Sequence, residues 1–356
     1  MSSDLDALQP LLAPPVESEK GMYSGRRLSI SHELPDFPLK PWMWSRRDKN
    51  GRRLPQTISH RGYKAKHAEN TMASFRGAIA VGTHAIETDI HLSKDDVVVL
   101  SHDPDLKRCF GKKEKIIDCD WSYLSTLPTL KEPSEHMPRL ADLLEHISQP
   151  HLAHLWVLLD IKLDNNAVNV MRLIAQTIKS VPPSPSRPWS DRLVLGVWAA
   201  KFLPLCTEYL PGHPISHIGF STCYARQFIS VPNVSFNMLQ KVLFGPIGDS
   251  FVKDVKKAGR PIYDWTVNDA NLMKWSIQHE LDGVITDDPE LFNEICDSWK
   301  FEEEKVARVN LYQWLYTFWL YMIIMVFTLP FKKRFPETVK EYLVEKRRRA
   351  TVKLGA

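Results

Sequence analysis

Residues 85–103 read AIETDIHLSKDDVVVLSHD, two strand-like apolar runs around a short polar link. In the first run Glu87 and Asp89 stand two apart. Side chains on a strand alternate faces, so both carboxylates point the same way. The link Ser93-Lys94-Asp95-Asp96 has the character of a turn between antiparallel strands, which folds the second run back along the first. His102, at the end of that second run, then lands opposite Glu87 or Asp89, depending on register. One hairpin thus gathers two oxygen ligands and an imidazole, the makings of a metal site with an acid or base beside it.

Working outward, QTISHRGYK (56–64) reads as a short strand ending in His60 and Arg61, followed by a glycine turn and a helix from Met72 to Val81. LWVLLDIK (155–162) is apolar through Leu159 and then offers Asp160 and Lys162, again two apart and same-facing. Asp160 would be a third hard oxygen ligand, and Lys162 a cation for a phosphate. A lone strand-end carboxylate is more often a cap or a surface ion pair. The argument for a site is the coincidence of three carboxylates, two histidines, an arginine and a lysine at strand ends.

Ionisable groups at strand ends are where α/β barrels place their chemistry, and the rest of the chain has the matching rhythm. Strand-like runs (ISH, AIETDI, LWVLLDI, RLVLGVW, SHIGFS, VSFNML, PIYDWTV, GVITD) alternate with helical stretches such as ADLLEHI, AVNVMRLIAQTIKS and ANLMKWSIQHE. With VVVLS the count is nine, which suits eight barrel strands and one hairpin strand. The expected fold is a TIM-type (β/α)8 barrel over residues 55–298, followed by a C-terminal membrane-associated hydrophobic helix or hairpin.

SHRGYKAKHAENTMASF, IETDIHLSKDDVVVLSHD, LLDIK, YDWTVN and DGVITDDP resemble, in order and spacing, the glycerophosphodiester phosphodiesterase family, from about Thr57 to Cys296. Within it, GVWAAKFLPLCTEYLPG, ISHIGFSTCYARQFI and VSFNMLQ look most like the fungal membrane-associated phosphatidylglycerol phospholipase C group. The resemblance implies a catalytic histidine pair at His60 and His102, with Glu69 and Asn70 in its Glu-Asn-Thr turn. It implies metal ligands at Glu87, Asp89 and Asp160, and substrate contacts at Arg61, Lys162 and Trp265. Asp160 stands where the family usually has a glutamate, one methylene longer, and Ala68 where it commonly has a proline.

Carboxylates without cysteine or histidine ligands suit Mg2+ or Ca2+ better than zinc. The function expected is metal-dependent cleavage of phosphatidylglycerol to diacylglycerol and glycerol phosphate. The alternatives are a glycerophosphodiesterase or lysophospholipid phosphodiesterase using the same groups, and a non-catalytic lipid-binding barrel. Trp265 and Phe220 are candidates to line the mouth, with core the favoured reading for Phe220. The long stretch from Asp103 to Met137 is a candidate lid.

Outside the barrel, residues 1–54 are rich in Pro, Ser and charge and read as a flexible arm, with Arg26-Arg27-Leu28-Ser29 resembling a basophilic kinase site. The start MSSDLDALQPLLAPP has no signal-peptide core, and the five cysteines are scattered without metal-ligand spacing, so a reducing, cytosol-facing domain is expected. Residues 311–331, LYQWLYTFWLYMIIMVFTLPF, carry no charge and crowd aromatics into their first half, the mark of a headgroup-level segment. The basic tail 332–356 follows, with Lys332-Lys333-Arg334 and Lys346-Arg347-Arg348-Arg349. Monotopic attachment to an anionic membrane surface with both ends cytosolic fits these features, at the endoplasmic reticulum, a lipid droplet or a mitochondrion. The expected partner is membrane phosphatidylglycerol; no nucleic acid and no protein partner is expected, the net charge of +4 being mild.

Overall fold

The structure, a computed structural model, describes residues 37–300, 311–335 and 338–354. The Arg26–Ser29 motif lies outside the described residues. Eight parallel strands close into a barrel: β3 (Gln56–His60), β4 (Ala85–Leu92), β6 (Trp156–Ile161), β7 (Leu193–Val197), β8 (Ile215–Gly219), β9 (Ser235–Leu239), β10 (Ile262–Trp265) and β11 (Gly283–Thr286), with β11 and β4 flanking β3. All are buried on both faces, as strands covered by helices must be. Each run read as a strand in the sequence is one of these, and VVVLS is β5 (Val98–Leu100), antiparallel to β4 at Ile90–Leu100 and Leu92–Val98. Continuing that register sets Ser101 against Asp89, and Ser101 N–H donates to the Asp89 carbonyl. β5 ends at Leu100 and His102 lies in the bend beyond it, so strand pairing sets it opposite neither carboxylate; the bend brings its ring to the pocket that Glu87 and Asp89 line.

Helices α1 (Met72–Ala80), α2 (Lys107–Phe110), α3 (Trp121–Leu124), α4 (Leu140–Ile147), α5 (Ala167–Ser180), α6 (Phe202–Tyr209), α7 (Thr222–Phe228), α8 (Gly245–Lys257), α9 (Ala270–Gln278) and α10 (Pro289–Ser298) complete the barrel and its insertion. Several begin within a few residues of a strand end and are capped there: Ser221 Oγ accepts from Tyr224 N–H, and Asp288 Oδ1 accepts from Leu291 N–H with Pro289 at the first helical position. Thr71 caps α1 through Ser74 N–H, directly after Asn70. Such caps satisfy orphan helix donors and hold the strand-to-helix turns, which carry the ionisable groups, in one conformation.

The expected flexible arm 1–54 is folded onto the barrel over its described part, residues 37–54. Strands β1 (Arg46–Arg47) and β2 (Arg53–Leu54) pair into a hairpin. Met43 is fully buried, Tyr263 Oη donates to its carbonyl, and Gln56 Nε2 donates to the carbonyls of Trp42 and Trp44. This segment plugs the N-terminal end of the barrel, where Trp42, Trp156 and Tyr263 pack ring against ring. The signal was hidden because its apolar residues follow no helix or strand period.

The insertion between Asp103 and Met137 has its own small core around Leu106, Phe110, Ile116 and Leu124. It is pinned to the β3–α1 loop: Lys131 Nζ donates to the Lys64 carbonyl, and Arg108 makes two 2.7 Å bonds to Glu69.

After the barrel come α11 (Leu311–Arg334) and α12 (Val339–Leu354). Among the described residues no helix is long and apolar enough to cross a membrane. One side of α11 packs on the barrel, with Thr317, Leu320 and Ile324 buried and Tyr321 Oη donating to the Val242 carbonyl. The other side exposes Leu315, Phe318, Trp319, Met322 and Val326.

Candidate active site

The C-terminal ends of the barrel strands converge on a small pocket of about 30 Å3. Its lining includes every residue singled out from the sequence as catalytic, metal-binding or substrate-binding: His60, Arg61, Glu87, Asp89, His102, Asp160, Lys162 and Trp265. Glu87 and Asp89 project inward from β4, Asp160 from the adjacent β6, and one oxygen from each lies within 4.8 Å of the others.

Two cations are threaded through these acids. Lys162 Nζ sits 2.6 Å from both Asp89 Oδ1 and Asp160 Oδ2. Arg61 Nε lies 3.2 Å from Asp89 Oδ2, and its Nη1 donates to Glu69 Oε1 at 2.8 Å. Arg61 has φ of +56° and Asn70 φ of +53°, the left-handed region that non-glycine residues rarely enter. The first outlier lets Arg61 N–H donate to both the carbonyl and Oε2 of Glu87; the second aims Asn70 Nδ2 at Asp89 Oδ2, 2.7 Å away.

Three buried carboxylates against two cations leave the cluster short of positive charge. Burial first, then repulsion from Asp89 and Asp160, pushes the Glu87 carboxyl well above its ordinary range. Burial also raises Asp160, with Asp89 adding to it, while Asp89 itself is driven low because Lys162 and Arg61 outweigh its burial. A hard divalent cation fits this donor set. Asp160 already accepts from Lys162 and, at Oδ1, from Trp198 Nε1, but a carboxylate has about four lone-pair sites and can accept and ligate at once.

The histidines are each backed by a carboxylate. His60 Nδ1 is 2.6 Å from Asp287 Oδ1, and His102 Nδ1 is 2.8 Å from Asp103 Oδ1. Asp287 is in turn held by Asn268 and Lys64, and Asp103 by Arg108. A carboxylate at Nδ1 selects the Nδ1–H tautomer and leaves the Nε2 lone pair for the pocket. Burial, then Arg61, lowers His60 to about 4; burial, then Arg61 and Lys162, lowers His102 to about 3. Both imidazoles are thus neutral near pH 7.

Several residues entered the site without a sequence argument. Asp287 ends DGVITD one place past β11, and Asp103 follows His102 directly; either looks like an ordinary turn aspartate. Trp198 separates the acids from the apolar surroundings, packing against Trp265 at 5.7 Å and Phe220 at 6.1 Å. Asn237, mid-strand in β9, lines the pocket with its buried Oδ1 unpartnered among the described residues. Phe220 is part of the buried core, as expected, and also borders a second cavity beside this one.

Residues 60–291 match the glycerophosphoryl diester phosphodiesterase family. The chain belongs to this family. Members are divalent-metal-dependent phosphodiesterases, and the acidic cluster found here could hold such an ion. Human Lysophospholipase D GDPD1 is 45% identical over 76 residues, 21% of this chain and 24% of that protein. The chain therefore aligns with about a quarter of that relative's length. The Thermotoga maritima glycerophosphodiester phosphodiesterase structure is 28% identical with a TM-score of 0.55, covering 68% of this chain and 99% of that one. An Oleispira antarctica phosphodiesterase, solved with the product sn-glycerol-3-phosphate, shares the fold at 23% identity and a TM-score of 0.59, covering 69% and 98%.

Proposed function

We propose that this protein hydrolyses glycerophosphodiesters, with His60 and His102 as the proton-transfer pair and Glu87, Asp89 and Asp160 as metal ligands. The observation that carries the reading is two carboxylate-backed imidazoles facing one pocket that also holds a three-carboxylate cluster. A divalent ion on those oxygens would polarise a phosphoryl oxygen and offset charge developing on it. Arg61 and Lys162 add positive charge on the same side. One neutral imidazole takes a proton at Nε2 from the attacking hydroxyl; the other enters as imidazolium and gives its proton to the departing oxygen. The arriving diester anion favours that imidazolium, since it offsets the Arg61 charge that, after burial, does most to hold both histidines neutral.

The attacking oxygen need not be water. A glycerol ester carries a hydroxyl beside the esterified carbon, and internal attack on phosphorus gains from proximity, giving a cyclic glycerol phosphate that water then opens. The Asn237 Oδ1 is suited to accept from a glycerol hydroxyl, and Trp265 to pack on its carbons. The product proposed is glycerol phosphate, the ligand seen in the Oleispira enzyme.

A finer reading, phosphatidylglycerol as substrate with diacylglycerol released, is favoured by the exposed face of α11, whose Phe318 and Trp319 suit the headgroup region of a bilayer. The barrel would then work at an anionic membrane surface from the cytosolic side, α11 lying in the interface. Product analysis on phosphatidylglycerol vesicles decides between the two. Diacylglycerol with glycerol phosphate supports the lipid reading. Phosphatidic acid with glycerol reverses the bond cleaved, and turnover of deacylated diesters alone returns the protein to the simpler activity.

A further inference from the structure

Beside the catalytic pocket lies a larger cavity of about 450 Å3. Trp198, Ile218 and Phe220 line it from the barrel mouth, and Tyr321, Ile324 and Phe331 line it from α11. Its size falls in the roughly 300–1,000 Å3 range of small-molecule sites, and among the described residues no charged side chain contributes to its wall.

Three features bear on what fills it. Trp198 and Ile218 line both cavities, so the two share a wall. The catalytic pocket is lined mainly by charged and polar side chains, which favour a phosphodiester over hydrocarbon, and apolar space lies next door. The far wall is α11, whose opposite face is the exposed apolar one, so the chamber lies between the catalytic groups and an exposed apolar surface. On that wall Phe331 of α11 packs against Phe220 at 6.5 Å and Tyr224 at 5.4 Å.

The geometry points to this chamber as an acyl-chain subsite, taking one fatty chain of a glycerophospholipid whose phosphodiester sits among His60, Arg61, Lys162 and His102. The inference rests on the phosphodiesterase reading above and adds the part of the substrate that reading leaves open. Trp198 is the partition: its Nε1 fixes Asp160 on one side while its ring forms apolar wall on the other. An apolar chamber of this kind gains little from water and favours methylene groups in proportion to the area they bury.

Cys223 and Ile247 border the chamber and are exposed, so a large side chain at either position narrows it without touching the catalytic groups. Cys223→Trp and Ile247→Trp are compared with the wild type on dioctanoyl phosphatidylglycerol below its aggregation threshold, where no membrane is needed, and on glycerophosphoglycerol, the same diester without chains. The expected result is a loss of roughly 10- to 100-fold in kcat/KM on the acylated diester and none on the deacylated one. An equal effect on both, or on neither, overturns the subsite. Turnover of the deacylated diester by the wild type separately tests the phosphodiesterase reading. Photolabelling with a phosphatidylglycerol carrying a diazirine in its acyl chain decides the subsite even if no turnover is seen. Label on 220–227 and 321–331 is expected; label confined to the outer face of α11 overturns it.

Discussion

His60 gives its Nδ1 to Asp287 and His102 gives its Nδ1 to Asp103, so each ring is fixed in orientation and tautomer before substrate arrives. Replacing His60 or His102 by alanine removes a proton-transfer step, and kcat should drop ~10²–10⁴-fold with the fold intact by circular dichroism. Asp287→Asn should lower kcat with KM little changed, because an amide can donate to Nδ1 and so favours the wrong tautomer; a change in KM alone would speak for a substrate-binding role instead. The ligating and cationic residues were legible because strand alternation puts Glu87 with Asp89 and Asp160 with Lys162. Asp287 and Trp198 were not, since their parts depend on which strand ends meet around the barrel, and a linear sequence carries no such adjacency; Asp103, although next to His102, has the look of an ordinary turn aspartate.

At the scale of elements, the β3–α1 turn carries Arg61 and holds three residues at positive φ, Arg61, Gly62 and Asn70. Gly62 has φ of +81°, and an added Cβ would lie 2.7 Å from the Ser74 carbonyl carbon. Gly62→Ala should therefore destabilise the protein by more than the ~1–2 kcal/mol of the left-handed conformation alone, read as a lower urea midpoint. A second element effect is pH-dependent. Thr57 N–H donates to His84 Nδ1 at 3.1 Å, which requires that nitrogen unprotonated, and burial with Arg46 nearby lowers His84 from 6.5 to about 4. The folded pKa lies below the unfolded one, so the unfolded chain takes the proton first. This contribution is complete above about pH 6.5 and erodes as pH falls toward 4. His84→Gln should flatten the stability profile in that window; an unchanged slope would contradict the assignment. All nine expected strands exist because apolar runs of this length, spaced by helices, have few alternatives. The plug from Phe37 to Leu54 is not legible in the sequence because it packs by isolated anchors such as Met43 and Trp42 rather than by a periodic face.

For the whole molecule, α11 joins two surfaces, one against the barrel and one facing outward. Leu315→Glu with Phe318→Glu should weaken co-sedimentation with phosphatidylglycerol vesicles while leaving turnover of a soluble diester unchanged. Equal vesicle binding by the variant would remove α11 as the contact. The sequence of α11 disclosed its apolar character but not its two-sidedness, because which residues face the barrel is decided by the grooves it lies on.

The account stands on a hard cation held by Glu87, Asp89 and Asp160 beside two neutral histidines. The most direct measurement is glycerol phosphate release from glycerophosphoglycerol by the wild type and Glu87→Gln, after chelation and during titration with Mg2+ or Ca2+. Activity abolished by chelation, restored by the ion, and restored in Glu87→Gln only at higher concentration is the result predicted. Release that persists in the metal-free wild type, or a variant with unaltered metal dependence, would contradict it.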